Sequence, residues 1–276
     1  NFQEPVLRKK SKIKKNYEIL ESRHNFSLLN KIRISAVSYL NTLPFAYGME
    51  QHPMFLEKVE LSRDIPSECA RKLIAGEVDL GLVPVAVIPE VNNAQIISDY
   101  CIGAEGKVHS VLLLSETPLE EIEKVYLDFH SRTSVRLCQL LLKHYWKKEV
   151  AFLTAKEGYI DQIKGKTAGV VIGDRTFGLD NRFRFQYDLA EAWQAWQNLP
   201  FVFAAWVSNR ELPTDFIKEF NQVLDFGLKH KTEAIQKAQL STPSLAEQKV
   251  YLKQHIQYHL DEKKRLALET FLSFIS

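Results

Sequence analysis

Short apolar runs of strand length alternate along this chain with longer stretches of helical spacing, the pattern of an α/β architecture. Residues 32–40 (IRISAVSYL) read as a first strand. Asn41-Thr42-Leu43-Pro44 follows, polar groups and then a proline suited to a first helical turn. Residues 66–75 have helical spacing, with Pro66 near the start and Gly76 just past the end. Residues 79–89 (DLGLVPVAVIP) return as an interrupted apolar strand, and 109–114 (HSVLLL) form another.

After Pro118 the alternation begins again. Residues 125–129 predict a strand, and Ser131 is placed to cap a helix over 132–146 with a broad leucine face. A short strand at 150–153, a short helix at 159–164 stopped by Gly165, and a strand at 168–172 come next. Asp188 and Glu191 have capping-box spacing, as do Ser244 and Glu247. Residues 201–207 (FVFAAWV) are strand-like, and everything beyond Pro213 reads as helix, one of these helices running from Ser244 toward Leu260. The expected fold is α/β with mostly parallel strands and two lobes around a cleft. Residues 31–116 and 205–276 make one lobe and 117–204 the other, with crossings near 114–118 and 201–208. Ligands bind in such clefts, at the carboxyl ends of strands.

Composition narrows the function classes. The chain has 276 residues, 45% apolar and 25% charged, which excludes disordered, collagen-like and coiled-coil classes. No apolar run approaches the ~18 residues of a membrane span. Three cysteines without short spacing (Cys69, Cys101, Cys138) give neither a disulfide framework nor a zinc site, which fits a reducing compartment. The net charge is +2, and its basic excess lies in residues 1–30, an extension whose first 29 positions hold seven basic and three acidic groups, leaving a body of −2. It is read as a solvated tail, with no nucleic-acid partner expected. It lacks the apolar stretch of a secretory signal, so the expected location is cytoplasmic.

Phosphate-loop, dinucleotide and nucleophile-elbow motifs are all missing from the sequence. His255 and His259 have the spacing of a zincin pair, but Ile256 stands where the glutamate belongs, so no metal site is expected. Trp193, Trp196 and Cys138 read as core. His109 and His130 end or begin strands near the expected cleft. The most informative feature is a pair of strand-to-helix junctions rich in small polar groups, Asn41-Thr42 and Ser131-Arg132-Thr133-Ser134. Free backbone N–H groups, hydroxyls and a guanidinium at such junctions suit carboxylate or phosphate.

Five strings in order carry a resemblance: Ser38-Tyr39-Leu40-Asn41-Thr42-Leu43-Pro44, Asp79-Leu80-Gly81-Leu82-Val83-Pro84, Lys107-Val108-His109-Ser110-Val111, Ser131-Arg132-Thr133-Ser134-Val135-Arg136 and Ile172-Gly173-Asp174. From Lys31 onward the chain resembles the menaquinone-biosynthesis chorismate dehydratase family. The resemblance implies the two-lobed type 2 periplasmic-binding-protein fold with an interlobe cleft. It implies conversion of chorismate, a dicarboxylate, to 3-[(1-carboxyvinyl)oxy]benzoate and water, with no cofactor. Carried over by position, Asn41 and Ser110 are its active-site residues. Ser38, Thr42, Arg132, Thr133, Ser134 and Asp174 are its substrate-binding positions. The base that takes the C3 proton is left among His109, Asp174 and the substrate's own enolpyruvyl carboxylate. Two alternatives share the fold: a 1,4-dihydroxy-6-naphthoate synthase-like lyase and a non-catalytic module that binds small anions.

Overall fold

The computed structural model describes residues 31–275. The basic extension, residues 1–30, lies outside them. Two mixed sheets organise the chain. Strands β1 (Ile32–Val37), β2 (Val59–Asp64), β3 (Leu80–Pro84), β4 (Gln95–Ala104), β10 (Phe201–Ser208) and β11 (Gln257–His259) form a six-stranded sheet in the order β11-β4-β10-β3-β1-β2. Strands β5 (Val111–Ser115), β6 (Lys124–Leu127), β7 (Ala151–Thr154), β8 (Thr167–Ile172) and β9 (Phe185–Asp188) form the second, in the order β7-β6-β8-β5-β9.

Sheet membership moves both crossings away from their expected places. β5 pairs antiparallel with β8 and β9, so the chain leaves the first sheet at 105–110 rather than 114–118. β10 lies between β3 and β4, so the return is complete before Phe201. The strands are not mostly parallel. β1 pairs parallel with β2 and β3, and β6 with β7 and β8; β4, β5, β9, β10 and β11 make antiparallel pairs. Strands entering from the other lobe meet the sheet head-on, a direction no local pattern encodes.

Local signals did set several boundaries. Pro66 opens the Pro66–Ile74 helix, and Gly76 follows it at φ 70°. Asp188 Oδ1 accepts from the backbone N–H groups of Ala190 and Glu191, opening the Leu189–Gln197 helix. Ser244 and Glu247 form a reciprocal capping box. Other expectations fail. The strand expected over 32–40 stops at Val37, and Leu40–Thr42 turns as a 3-10 helix into the Leu43–Glu50 helix. The strand expected over 79–89 ends at Pro84, where a 3-10 segment (Val85–Glu90) begins. The 132–146 helix is regular only over Thr133–Leu140, then widens into a π turn at Leu141–Tyr145. The Leu245–Val250 helix gives way to a π turn (Tyr251–His255) and then to β11, so His255 and His259 do not share a helix face.

A continuous apolar core runs through both lobes. Trp193 is fully buried, packs on Phe201 and Phe271, and donates its indole N–H to Pro200 O. The C-terminal helix Glu262–Ile275 thereby ties the first sheet to the Leu189–Gln197 helix beside the return crossing. Cys69, Cys101 and Cys138 are free and buried, and burial pushes each thiol up to about 12, which leaves them inert packing groups. No described helix is long and apolar enough to cross a membrane.

Candidate active site

The cleft between the sheets holds a small cavity that is partly open to solvent. Its floor is apolar, with Leu82, Ile102 and Phe203. Polar groups converge on it from three places: Asn41 and Thr42 after β1, Ser110 on the outgoing crossing, and Ser131, Thr133 and Ser134 at a helix start of the second lobe. Both junctions expected from the sequence therefore face one space. None of the side chains lining it is charged.

Asn41 and Ser110 offer an acceptor and a hydroxyl on this cavity. Asn41 Oδ1 is buried without any hydrogen-bond partner, while its backbone carbonyl accepts from Tyr258 OH at 2.9 Å. An unpaired buried amide oxygen costs stability and leaves an acceptor free for a ligand. Ser110 is 1% exposed, and its Oγ lies 2.6 Å from the Tyr251 hydroxyl. Thr42 lines the cavity, but its hydroxyl is spent on Val37 O and Tyr39 O. Thr133 Oγ1 accepts from Ala86 N–H of the other lobe at 3.1 Å, and Ser131 Oγ caps Ser134 N–H at 3.0 Å.

Three expected site residues lie elsewhere. Ser38 is exposed and only touches Asp64 O, at 3.4 Å. Arg132 is exposed and lines a separate outer groove with Glu90 and Arg136. Adjacent helical positions are rotated by about 100°, so burying Thr133 and Ser134 turns Arg132 outward. Asp174 does not line the cavity. Its carboxylate instead takes Leu40 N–H at 3.0 and 3.1 Å, a bond between the lobes. His109 is turned away as well: its φ is 61°, and its ring lies 4.2 Å from that of His255 in another groove.

The lobes are fastened closed around the cavity. Besides Leu40–Asp174 and Ala86–Thr133, Tyr39 OH meets His130 Nδ1 at 2.8 Å, and Ser67 N–H donates to His130 O at 3.2 Å. Burial pushes the Tyr39 phenol up to about 12, although the Arg175 cation works against this. Gly173 (φ 62°) lets the Tyr39 ring lie over its backbone; a Cβ there would come within 2.8 Å of that ring. Behind His130, Asp128 accepts from four donors: His130 N–H, Ile172 N–H, Tyr159 OH and Arg175. Sequence reasoning missed Tyr39, Asp128, Arg175 and Tyr251, whose only local signals are ordinary strand-end or helical positions.

Asp174 makes the stability of the fold sensitive to pH. Burial raises its carboxyl from the usual 3.8 to about 6, against the lowering effect of the Leu40 amide. Between about pH 4 and 6 the folded state holds a proton that the unfolded chain has released, so this group's contribution falls as pH rises. Asp174→Asn keeps an acceptor for Leu40 without the charge. The melting temperature of the variant relative to the unaltered protein is expected to rise from about pH 4 to pH 7. A difference that stays flat across that range contradicts this account.

Comparison with known proteins places this geometry. The sequence pattern of a family described as menaquinone biosynthesis matches residues 32–276, nearly every described residue. The chain belongs to that menaquinone biosynthesis family. A curated relative, chorismate dehydratase of Thermus thermophilus, is 27% identical over 256 residues, covering 84% of this chain and 91% of the relative. Among solved structures, a protein from Archaeoglobus fulgidus superposes with a TM-score of 0.73 at 14% identity, over 89% of this chain and 96% of that one. The periplasmic aliphatic sulphonate binding protein of Escherichia coli matches at 0.57 and 14% identity, over 89% and 86% of the two chains. The menaquinone-family chain therefore has the two-lobed periplasmic-binding-protein-like fold that its sequence pattern implied.

Proposed function

We propose that this family member is a chorismate dehydratase, a hydro-lyase that forms 3-[(1-carboxyvinyl)oxy]benzoate and water. The observation that carries the reading is the pairing, on one interlobe cavity, of an unsatisfied Asn41 Oδ1 with the Ser110 hydroxyl. The curated relative named chorismate dehydratase supports the substrate. An acceptor beside a hydroxyl suits a substrate alcohol, here the C4 hydroxyl that departs.

The reaction removes the C3 proton, giving a carbanion delocalised through the ring alkene into the ring carboxylate. Loss of hydroxide from C4 then makes the ring aromatic, and the released proton completes the water. The protein's part is to hold one reactive conformer and to donate hydrogen bonds where negative charge develops. No cavity-lining side chain is an acid or an imidazole, and His109 and Asp174 face elsewhere. This supports the substrate's own enolpyruvyl carboxylate as the base. With Arg132 outside, the carboxylates meet the hydroxyls and N–H groups around Thr133 and Ser134. The proposal keeps the expected cytoplasmic setting.

Incubation with chorismate tests the reading. Loss of the diene absorbance should accompany an aromatic product lighter by one water. Binding without turnover would instead favour a solute-binding module on the same fold.

A further inference from the structure

Tyr251 begins the π turn that ends the Leu245–Val250 helix, and such wide turns are frequent at functional sites. Its ring is 3% exposed and packs edge-on against Phe177 of the second lobe, at 5.3 Å between centroids. Its hydroxyl lies 2.6 Å from Ser110 Oγ. Asn41 also approaches the phenol, yet its Oδ1 accepts from nothing, so the amide cannot be the destination of the phenolic proton. Complete burial pushes the phenol well above its usual value, so it stays protonated. A neutral tyrosine has one proton to give, and Ser110 Oγ is the atom placed to take it.

We infer that Tyr251 is a positioning residue: its hydroxyl donates to Ser110 Oγ and so leaves the serine proton directed into the cavity. Ser110 then meets the ligand as a donor, and Asn41 Oδ1 beside it as an acceptor. Without the phenolic bond the serine hydroxyl is free to rotate, and its proton points at the substrate oxygen only part of the time. The inference rests on the dehydratase reading, because it concerns how that reaction's donor is aimed.

Tyr251→Phe removes one oxygen and keeps the ring against Phe177. The expected result is a fall in kcat of about tenfold or more with KM within about threefold, because the aimed proton matters most in the transition state. Combining Tyr251→Phe with Ser110→Ala should be no slower than Ser110→Ala alone, since the tyrosine acts only through the serine. Tyr251→Met, which also lacks the hydroxyl, should show the same kcat loss and replaces the Phe variant if that one is not recovered folded. A purely structural role would lower melting temperature and reduce turnover by the same factor in either background. A hydroxyl-free variant with kcat within about twofold of normal, or a double variant showing the full product of both losses, overturns the inference. Turnover of chorismate by the unaltered protein is measured first. Its failure sinks the dehydratase reading and this inference together, whereas turnover with an indifferent Tyr251→Phe sinks only the inference.

Discussion

Replacing Asn41 or Ser110 by alanine is expected to lower kcat on chorismate by about 10²-fold or more, with smaller changes in KM. Both side chains reach the cavity from segments that are neither strand nor regular helix: the 3-10 turn after β1 and the crossing before β5. Neither is needed there for packing. Asn41 Oδ1 bonds to nothing, and the backbone carbonyl that takes Tyr258 OH survives the change to alanine. Ser110→Ala removes the 2.6 Å hydrogen bond to the buried Tyr251 hydroxyl, so some stability is lost, on the order of 1–3 kcal/mol. Measured melting temperatures and turnover separate the two roles. If both variants melt lower but keep turnover within a few-fold, the groups are structural and the assignment fails.

A second large effect belongs to a residue that never touches the cavity. Asp128→Ala should destabilise the fold by about 3–5 kcal/mol, the usual cost of leaving a buried charge uncompensated. The Asp128 side chain is completely buried, and Arg175 beside it is only 26% exposed. The guanidinium already has an unpaired Nε, and losing Asp128 would remove its only ion pair among the described residues. For a chain of this size that is a drop in melting temperature of roughly 10 °C. The same change frees His130 N–H and Ile172 N–H, which fix the second-lobe side of the Tyr39–His130 contact. Weaker closure should therefore raise KM at temperatures where the variant is still folded. Thermal unfolding with chorismate kinetics checks both. A variant melting within about 2 °C of the unaltered protein would show that Arg175 is adequately solvated on its own.

How much of this was legible in the chain follows from the range of each signal. Pro66, Gly76, Asp188 and Ser244 act on backbone groups within a few residues of themselves, so the elements they start or stop were readable. Apolar runs such as 201–207 are strand-like wherever they pair, and they were readable too. β2, β4, β9 and β11 were not. Polar interruptions such as Ser98 and Asp99 hide the β4 pattern, and β4 exists because β10 and β11 pair with its two edges. Gly103 admits that pairing, since a Cβ there would come within 2.8 Å of Phe201 O. The same limit of range applies to the site. The sequence by itself determined the α/β class, the two lobes and the polar junctions at Asn41 and at Ser131–Ser134, and motif order supplied Ser110. Only the tertiary structure decided that Arg132 faces outward, that Asp174 binds Leu40 across the cleft, and that Tyr251 meets Ser110 from 141 residues away. A side chain's partner is set by which surfaces the fold brings together, and no local pattern carries that information.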